Sequence, residues 1–471
     1  MSRSAPPAAR GRRVYEPMTL TPHAFGAVSK QSGLVVNTRA PQVPTAIVER
    51  IEGCAAADLT RRFGSPLFVV SRTQLLEEFR AFRDAFRAVY ADTTIAYSYK
   101  TNYLTAIRAA LHEEGAWAEV VSGLEYEMAR RLGVPGSQIV FNGPYKDDED
   151  VRRAIREDAF INVDSFDELA ALEEIAAADG RTPAIGLRLT ARTTPTPWEK
   201  FGFSVEAGLA EEACRRAAGS KHVRLAGLHM HLGTDLAEPE AYAKAIDAVT
   251  PLLLRYEKDR GVRWQQLDFG GGFPNRHRFA RAHHGMTPES VFPHFAERLV
   301  RPLTAALRKL RSRPRLVLEP GRAVVEHPVF LLTTVVAAKR LPGGVKAAVL
   351  DAGVHLLPTA YYTALDVAPV DPAPLSVEEV TLFGPLCMQV DCLAAGLRLP
   401  PLRRGTRLAV RNCGAYADSQ SMQFIHARPA VVMVTGRHAE VVREAESVDH
   451  FLARDRVPAR ARSAAPRNGR P

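Results

Sequence analysis

Short apolar, β-branched runs alternate with segments of helical periodicity from about residue 65 to residue 322. The strand candidates follow one another as LFVV (67–70), TIAYSY (94–99), WAEVV (117–121), IVFN (139–142), FINV (160–163), AIGLRL (184–189), VRLAGLHMHL (223–232), QLDFGG (266–271) and RLVLEP (315–320). Between them, segments such as 72–89 and 166–178 repeat apolar residues at the i, i+3, i+4 and i+7 spacing of an amphipathic helix. This alternation predicts a mostly parallel sheet with helices outside it.

The number of strand candidates favours a closed barrel. Nine runs are present, and eight are left if 67–70 is a lead-in strand that belongs to a second domain. An open doubly wound sheet is the alternative, but no G-x-G-x-x-G follows the first strand, as a dinucleotide-binding fold would require. We therefore expect an α/β fold with a (β/α)8 TIM-type barrel over residues 65–325.

After residue 322 the pattern changes to short β-rich runs separated by Pro and Gly. The runs are VFLLTTVVAA (329–338), AAVLD (347–351), EEVTLFG (378–384), TRLAVRN (406–412) and AVVMV (430–434). They predict a C-terminal all-β domain over residues 326–453, joined by a lead-in strand from about residues 46–64.

The formal charge of +10 is concentrated at the two ends of the chain. Residues 1–50 hold seven Lys and Arg against two acids, residues 454–471 hold six against one, and the remainder is neutral. We expect residues 1–45 and 454–471 to be a disordered basic leader and tail. Because neither end carries a nucleic-acid-binding motif, no nucleic-acid partner is predicted.

Composition narrows the class of protein further. Apolar residues make up 46% and charged residues 24%, which is typical of a folded globular chain. No run of eighteen apolar residues occurs and the N-terminus lacks the apolar part of a secretory signal, so we expect a cytoplasmic protein with no membrane partner. The five cysteines include no C-x-x-C pair, so they are expected to be reduced and no metal site is predicted.

Polar residues stand at the ends of several predicted barrel strands, where barrel enzymes gather their reacting groups. They are Lys100, His229, His231, Thr234, Gly270, Gly271, Gly272, Glu319 and Arg322. Taken alone, Lys100 is either a rim lysine with its amine in water or a desolvated nucleophile with a lowered pKa. A glycine triplet is either a plain loop or a phosphate cradle. Together, a lysine nucleophile, a phosphate cradle and a carboxylate are what pyridoxal phosphate requires.

At this point the chain resembles a known family, the diaminopimelate/ornithine decarboxylases of fold-type III. The motifs that carry the resemblance are AYSYKTN (96–102), GLHMHLGTD (227–235), LDFGGGFP (267–274), LEPGRAVV (318–325), GPLCMQVD (384–391) and GAYADSQSM (414–422). They stand in the family's order and cover nearly everything between the two ends. The resemblance implies an alanine-racemase-like barrel, a C-terminal β domain and pyridoxal 5'-phosphate as cofactor.

The resemblance also implies roles for individual residues. Lys100 would bond covalently to the cofactor, His231 would stack on its ring, and Glu319 would pair with its pyridine nitrogen. The residues implied at the phosphate or elsewhere on the cofactor are Thr234, Gly271, Gly272, Gly321, Arg322, Tyr416 and Arg188. His229 is interpreted as structural, and Lys200 matches the family's K-F-G loop over the site.

A carboxylate at the pyridine nitrogen favours decarboxylation, because it keeps the ring protonated and therefore strongly electron-withdrawing. The racemases of this fold carry an arginine there, so Glu319 disfavours an amino-acid racemase. Cys387 matches the family cysteine that reaches into the partner subunit's site and acts as a general acid, which implies a homodimer with shared sites. Lys100, Glu319, Arg322 and Cys387 together argue against a non-catalytic regulator. The β domain argues against a lone-barrel cofactor carrier.

The sequence departs from the family where the far end of the substrate binds. After G-P-x-C the family has a Glu or Asp that meets the distal amine, whereas this chain has Met388. The loop DAGVHLLPTAYY (351–362) lacks the arginine that binds the distal carboxylate, although Tyr361 or Tyr362 fits the family's tyrosine position. Arg322, Tyr361, Met388 and Tyr416 are the predicted substrate contacts. We hypothesise a decarboxylase for a different amino acid, such as an acylated, citryl-linked or carrier-bound one from specialised biosynthesis. The alternative is a diaminopimelate decarboxylase that makes L-lysine.

Overall fold

The computed structural model describes residues 47–194 and 198–458. The predicted leader and residues 459–471 of the predicted tail lie outside the described residues. The strands are β1 (Arg50–Ile51), β2 (Cys54–Ala55), β3 (Leu67–Ser71), β4 (Thr93–Ser98), β5 (Trp117–Val120), β6 (Ile139–Phe141), β7 (Phe160–Val163), β8 (Ala184–Thr190), β9 (Phe203–Ser204), β10 (Arg224–His229), β11 (Gln266–Asp268), β12 (Arg315–Leu318), β13 (Val329–Arg340), β14 (Lys346–Leu350), β15 (Asp366–Pro369), β16 (Glu378–Phe383), β17 (Cys392–Leu399), β18 (Arg407–Arg411), β19 (Val431–Thr435) and β20 (His438–Arg443).

The helices fall mainly between the barrel strands. They are α1 (Ala56–Phe63), α2 (Arg72–Val89), α3 (Thr105–Glu113), α4 (Gly123–Arg131), α5 (Asp148–Arg156), α6 (Phe166–Ala178), α7 (Leu209–Gly219), α8 (Glu240–Arg260), α9 (Arg276–Ala282), α10 (Pro288–Leu307), α11 (Arg322–Val325) and α12 (Val448–Leu452). Within the described residues, none of these helices has both the length and the apolar character needed to cross a membrane.

Eight parallel strands close into a barrel, which confirms the predicted fold. The strand order is β4, β5, β6, β7, β8, β10, β11 and β12. The ring is closed where β12 pairs with β4, with Leu316 opposite Thr93. Strand β8 pairs directly with β10, so the short β9 lies beside the ring instead of within it. The carboxyl ends of all eight strands therefore face one rim.

The apolar residues that recur at helical spacing in α2 form the face of the helix that is buried. Its apolar residues Leu75, Phe79, Phe82 and Phe86 are all buried, so one face of the helix packs on the barrel. Phe82 contacts Phe292 of α10 edge to face, with ring centroids 5.1 Å apart. Ser71 caps the helix by accepting a hydrogen bond from the Gln74 N–H at 3.2 Å.

The β-rich C-terminal region is organised around β13. This strand pairs with β14, with β18 and with the early strand β3. Strand β3 also pairs with β19, so residues 67–71 belong to the C-terminal sheet and not to the barrel. The first barrel strand is therefore β4, and 67–70 is the lead-in strand of the second domain that the count of strand candidates allowed. The cause is long-range pairing, which the local apolar pattern of 67–70 does not contain.

Candidate active site

A cavity of about 490 Å³ opens at the carboxyl ends of the barrel strands. Its lining residues come from seven loops or strand ends and from the C-terminal region: Lys100, Glu119, Val121, Asn142, Gly143, Pro144, Arg188, Trp198, Lys200, Phe201, His229, His231, Thr234, Glu319, Arg322, Tyr362, Tyr416 and Gln420. The rim residues singled out in the sequence as chemically active thus largely meet in one place, as the barrel geometry requires.

Lys100 lies in a short 3-10 turn that follows β4 directly. The turn is held to the C-terminal region, because the Ser419 hydroxyl donates to the Lys100 carbonyl at 2.7 Å. The Lys100 Nζ donates to Glu119 Oε2 at 2.5 Å. Burial lowers the pKa of Lys100, but the nearby carboxylates of Glu119 and Glu319 outweigh it, so the pKa lies above its ordinary value. This direction is opposite to that of a desolvated nucleophile with a lowered pKa, because a charge partner offsets desolvation.

Glu319 lies deep in the cavity, with 2% of its surface exposed. Its Oε1 accepts a hydrogen bond from Asn142 Nδ2 at 2.5 Å, and its Oε2 lies 3.5 Å from His229 Nε2. Burial raises the pKa of Glu319, but His229 and Lys100 lower it by more than burial raises it, so the pKa lies below its ordinary value. The neighbouring Asp268 has a strongly raised pKa because of burial and of Glu319. Burial and mutual interaction thus shift the pKa values of these two neighbouring carboxyl groups in opposite directions, Glu319 downward and Asp268 upward.

His231 is held neutral beside these groups. Burial, followed by the charges of Lys100 and Arg188, lowers its pKa to about 3. Its Nδ1 accepts a hydrogen bond from the Gly271 N–H at 3.1 Å, so the ring proton is on Nε2. Its ring centroid lies 5.3 Å from that of Trp198, with the ring planes inclined by 36°. An uncharged, fixed imidazole is suited to stack on an aromatic ligand.

The glycine loop leaves no room for side chains. A Cβ on Gly271 would lie 2.4 Å from the Glu319 carbonyl oxygen. Gly272 has a φ of +92°, and a Cβ there would lie 2.7 Å from the Gly233 carbonyl oxygen. On the adjoining strand end, a Cβ on Gly321 would lie 2.0 Å from Thr101 Oγ1. The Gly271 N–H is already used by His231, so it is the bare backbone at Gly272 and Gly321 that lets N–H groups approach the oxygens of a bound phosphate.

Arg322 supplies a cation to the same part of the cavity. It is buried, with 8% of its surface exposed, and its Cζ lies 5.6 Å from the centre of the Tyr416 ring. Its Nη1 donates to Glu326, while its Nε has no hydrogen-bond partner among the described residues. Tyr416 has a φ of +67° and donates its backbone N–H to the Thr101 carbonyl at 2.8 Å. A buried guanidinium with a spare donor fits an anionic group such as a phosphate.

Further cations line the cavity at Arg188 and Lys200. The Arg188 guanidinium lies over the Phe201 ring at 4.2 Å and 3.5 Å from Asp164. Lys200 Nζ lies 5.3 Å from the centre of the same ring. Glu119 and Glu319 are the acids among the lining residues that the structure describes, and both lie deep in the cavity. Arg188 is therefore a buried cation paired with an acid, whereas Lys200 is an exposed cation of the lining.

Six predicted site residues are not among the described lining residues of this cavity: Gly271, Gly272, Gly321, Tyr361, Cys387 and Met388. Cys387 is exposed on the loop between β16 and β17, and Met388 beside it packs partly against the core. Tyr361 also packs against the core, whereas Tyr362 lines the cavity and donates its hydroxyl to Gln420 Oε1 at 2.7 Å. The structure therefore brings Tyr362, and not the predicted Tyr361, to the site.

Three further lining residues, Glu119, Asn142 and Trp198, are not predicted from the sequence. Asn142 Nδ2 donates to both Glu119 Oε1 at 3.1 Å and Glu319 Oε1 at 2.5 Å, so it joins the two acids. Glu119 lies inside an apolar strand, WAEV, and that is a usable signal because an unpaired buried acid is rare.

Comparison with known proteins agrees with this geometry. The family profile described as "Pyridoxal-dependent decarboxylase, pyridoxal binding domain" matches residues 72–326. The chain is similar to the diaminopimelate decarboxylase of Methanothermobacter thermautotrophicus, with 31% identity over 87% of this chain and 96% of the relative. It is 29% identical to that of Aquifex aeolicus over 85% of this chain and 94% of the relative. The crystal structure of the Methanocaldococcus jannaschii diaminopimelate decarboxylase superimposes with a TM-score of 0.78 at 27% identity, covering 86% of this chain and 95% of that one.

Proposed function

Because this chain belongs to the pyridoxal-dependent decarboxylase family, we propose that its barrel cavity removes the carboxyl group of an amino acid that lacks a free distal amine. The chain is a pyridoxal-phosphate-dependent amino-acid decarboxylase, and pyridoxal phosphate is its cofactor. The observation that carries the finer proposal is the charge of the cavity. Its lining includes the exposed Lys200, and its two acids, Glu119 and Glu319, are buried beside Lys100, so no free carboxylate of the described lining would balance an ammonium group.

The cofactor is held, in this proposal, by residues at five barrel strands and by Tyr416 of the C-terminal region. Lys100 binds the aldehyde carbon, and Gly271, Gly272 and Arg322 bind the phosphate, with Thr234, Gly321 and Tyr416 beside them. Arg188 holds the ring side of the cofactor. The bare glycine backbone and the spare Arg322 donor support this assignment.

Glu319 and His231 fix the cofactor ring from two directions. Glu319 is ionised and buried, so it is suited to hold a proton on the pyridine nitrogen. His231 is neutral and stacks on the ring face without adding a charge. When bound, the cofactor supplies an electron sink for the charge left as carbon dioxide departs from the substrate.

Glu119 keeps the free amine of Lys100 protonated until the cofactor arrives. Their hydrogen bond is 2.5 Å long, and Glu119 is 1% exposed. A protonated amine is not a nucleophile, so the proton must leave Nζ before the lysine attacks. The adjacent Glu119 is placed to take that proton.

Cys387 serves, in this proposal, the site of a second copy of the chain. Its thiol is exposed and lies outside the cavity lining of its own chain, which supports a role across an interface. There its Sγ donates a proton to the substrate α-carbon. Exposed apolar residues on neighbouring loops, Phe424 and Ile425, support burial of this face in a homodimer. The cytoplasmic location and the absence of nucleic-acid and membrane partners stay predictions.

Met388 follows Cys387 and supports the altered substrate. A thioether cannot balance an ammonium charge, and leaving an ammonium group desolvated without a partner costs several kcal/mol.

The second candidate substrate is meso-diaminopimelate, which gives L-lysine. It is favoured by the names of the relatives, which match this chain over most of its length.

The test compares meso-diaminopimelate with its mono-N-acetyl derivative, which differs in one amine charge. Mass spectrometry detects each decarboxylated product from the wild type with added pyridoxal phosphate. We expect turnover of the acetylated compound at least about tenfold above that of the free one. Efficient conversion of free diaminopimelate instead supports the second candidate, and no product from any amino acid tried contradicts the proposal.

Two sets of variants sharpen this test. Met388→Glu restores a carboxylate and is expected to raise turnover of free diaminopimelate, while Met388→Gln has a similar size without charge and leaves it low. Lys100→Ala is expected to abolish turnover and cofactor attachment after borohydride reduction. Lys244→Ala, which removes an exposed lysine of α8, is the matched control and keeps both.

A further inference from the structure

Two separate chain segments form the phosphate cradle proposed above. The glycine loop 270–272 leads within a few residues into α9. The segment Gly321–Arg322 leads directly into α11, and Glu326 caps the end of that short helix. Glu326 has 2% of its surface exposed, so its carboxylate needs partners nearby.

One oxygen of Glu326 joins these two segments. Its Oε1 accepts a hydrogen bond from Arg322 Nη1 and another from Arg278 Nη1, the latter at 3.2 Å. Arg322 belongs to α11 and Arg278 belongs to α9. The carboxylate therefore neutralises two guanidinium groups, and it fixes the arginine of the cradle to the helix that follows the glycine loop.

Neighbouring contacts hold the same segments together without involving Arg322. The rings of His277 and His327 stack with centroids 3.8 Å apart. Asn412 Oδ1 lies 3.2 Å from both Asn275 Nδ2 and His327 Nδ1. The fold of this region therefore has other supports, and the Glu326 contact differs from them in acting on Arg322.

The contact leaves Arg322 free on its other side. Nη1 is engaged by Glu326, while Nε has no partner among the described residues. Without Glu326, two like charges would remain close together in a buried region, and they would move apart. Arg322, which lines the cavity, would then lose the orientation that Glu326 gives its guanidinium.

We infer that Glu326 is a positioning residue for the cofactor phosphate, acting through Arg322 and tied to α9 by Arg278. This inference rests on the proposed function, in which Arg322 binds that phosphate. Its consequence is selective. Glu326 should matter for pyridoxal phosphate and not for pyridoxal, which has the same ring and aldehyde but no phosphate.

The experiment measures the affinity of cofactor-free protein for pyridoxal phosphate and for pyridoxal by spectroscopic titration. For Glu326→Gln, we expect affinity for pyridoxal phosphate to fall about 10- to 100-fold, the range for a lost charge-assisted hydrogen bond. Affinity for pyridoxal stays within about twofold, because its ring contacts are unchanged. Equal loss for both compounds, or no loss for either, overturns the inference.

Two further variants keep the test decisive. Arg278→Gln removes the link to α9 from a more exposed position, so it carries the test if Glu326→Gln does not fold, and a smaller selective loss is expected. Arg281→Gln is the matched control, because it lies on the same helix but pairs with Asp366, and it should change neither affinity. If the wild type binds both compounds equally, the phosphate role of Arg322 itself fails, and the inference fails with it.

Discussion

Asp391 offers the sharpest test of how the loop that carries Cys387 is held. The residue is 2% exposed. Its Oδ1 accepts the Val354 N–H at 2.8 Å, and its Oδ2 accepts the Leu386 N–H at 2.7 Å. Asp391 therefore joins the Cys387 loop to the segment that follows β14, through Val354, and joins the two ends of the loop to each other, through Leu386. We predict that Asp391→Ala loosens this loop.

The size of the effect follows from the two hydrogen bonds. Each buried N–H left without a partner costs about 1–3 kcal/mol, or about 2–6 kcal/mol for both. Part of this cost is offset in Asp391→Ala, because the substitution also removes a carboxyl group whose charged form is disfavoured by burial, as its raised pKa indicates. We expect a net loss of about 2–4 kcal/mol of local stability, and about half of that for Asp391→Asn, which keeps one acceptor oxygen.

Hydrogen exchange followed by mass spectrometry measures this local stability. Exchange in the peptide that contains Leu386 should accelerate about 30- to 1000-fold in Asp391→Ala, as 1.4 kcal/mol corresponds to a factor of ten. Turnover should fall toward that of Cys387→Ala, because the thiol loses its position. Asp371→Ala removes a partly exposed ion pair with Arg407 and is the control. Unchanged exchange in the loop peptide would refute the reasoning.

Two other predictions concern the cavity. Gly272→Ala should weaken pyridoxal phosphate binding at least about tenfold, because its φ of +92° disfavours a side chain and the added Cβ would meet the Gly233 carbonyl oxygen. The control is Gly285→Ala, which has similar backbone strain at a φ of +83° but open space around it, and it should bind the cofactor normally. Equal binding by the two variants in a titration would contradict the role of Gly272. Burial and Glu119 raise the pKa of Glu125 to about 7. The folded protein therefore binds more protons at this site than the unfolded chain between about pH 4.5 and 7, and stability is lost as pH rises through that window. In Glu125→Gln, the stability measured by thermal unfolding should change less between about pH 4.5 and 7, by up to about 3 kcal/mol. An unchanged dependence of stability on pH would contradict the raised pKa of Glu125.

Much of the barrel site can be predicted from the chain because barrel sites follow a simple rule. The residue that follows each apolar run lies at the same rim, so the order of the runs suffices to group Lys100, His231, Glu319 and Arg322. In the C-terminal region, the strands β15, β17 and β20 are not predicted from the sequence. They carry weaker apolar runs, and their stability comes from pairing with strands far along the chain.

The order of the barrel strands, the residue types at their ends and the family can be read from the amino-acid sequence, which leaves either eight or nine barrel strands. The fold adds the environment of Lys100, whose charge depends on Glu119 in the next strand, and it selects the C-terminal sheet for 67–71 from the two possibilities that the apolar runs leave open. It also decided the pairing of Glu326 with two arginines and of Asp391 with two backbone groups. The physical reason is that periodicity and turn residues are local properties. Burial, hydrogen bonding and pKa depend on which distant groups the fold brings into contact.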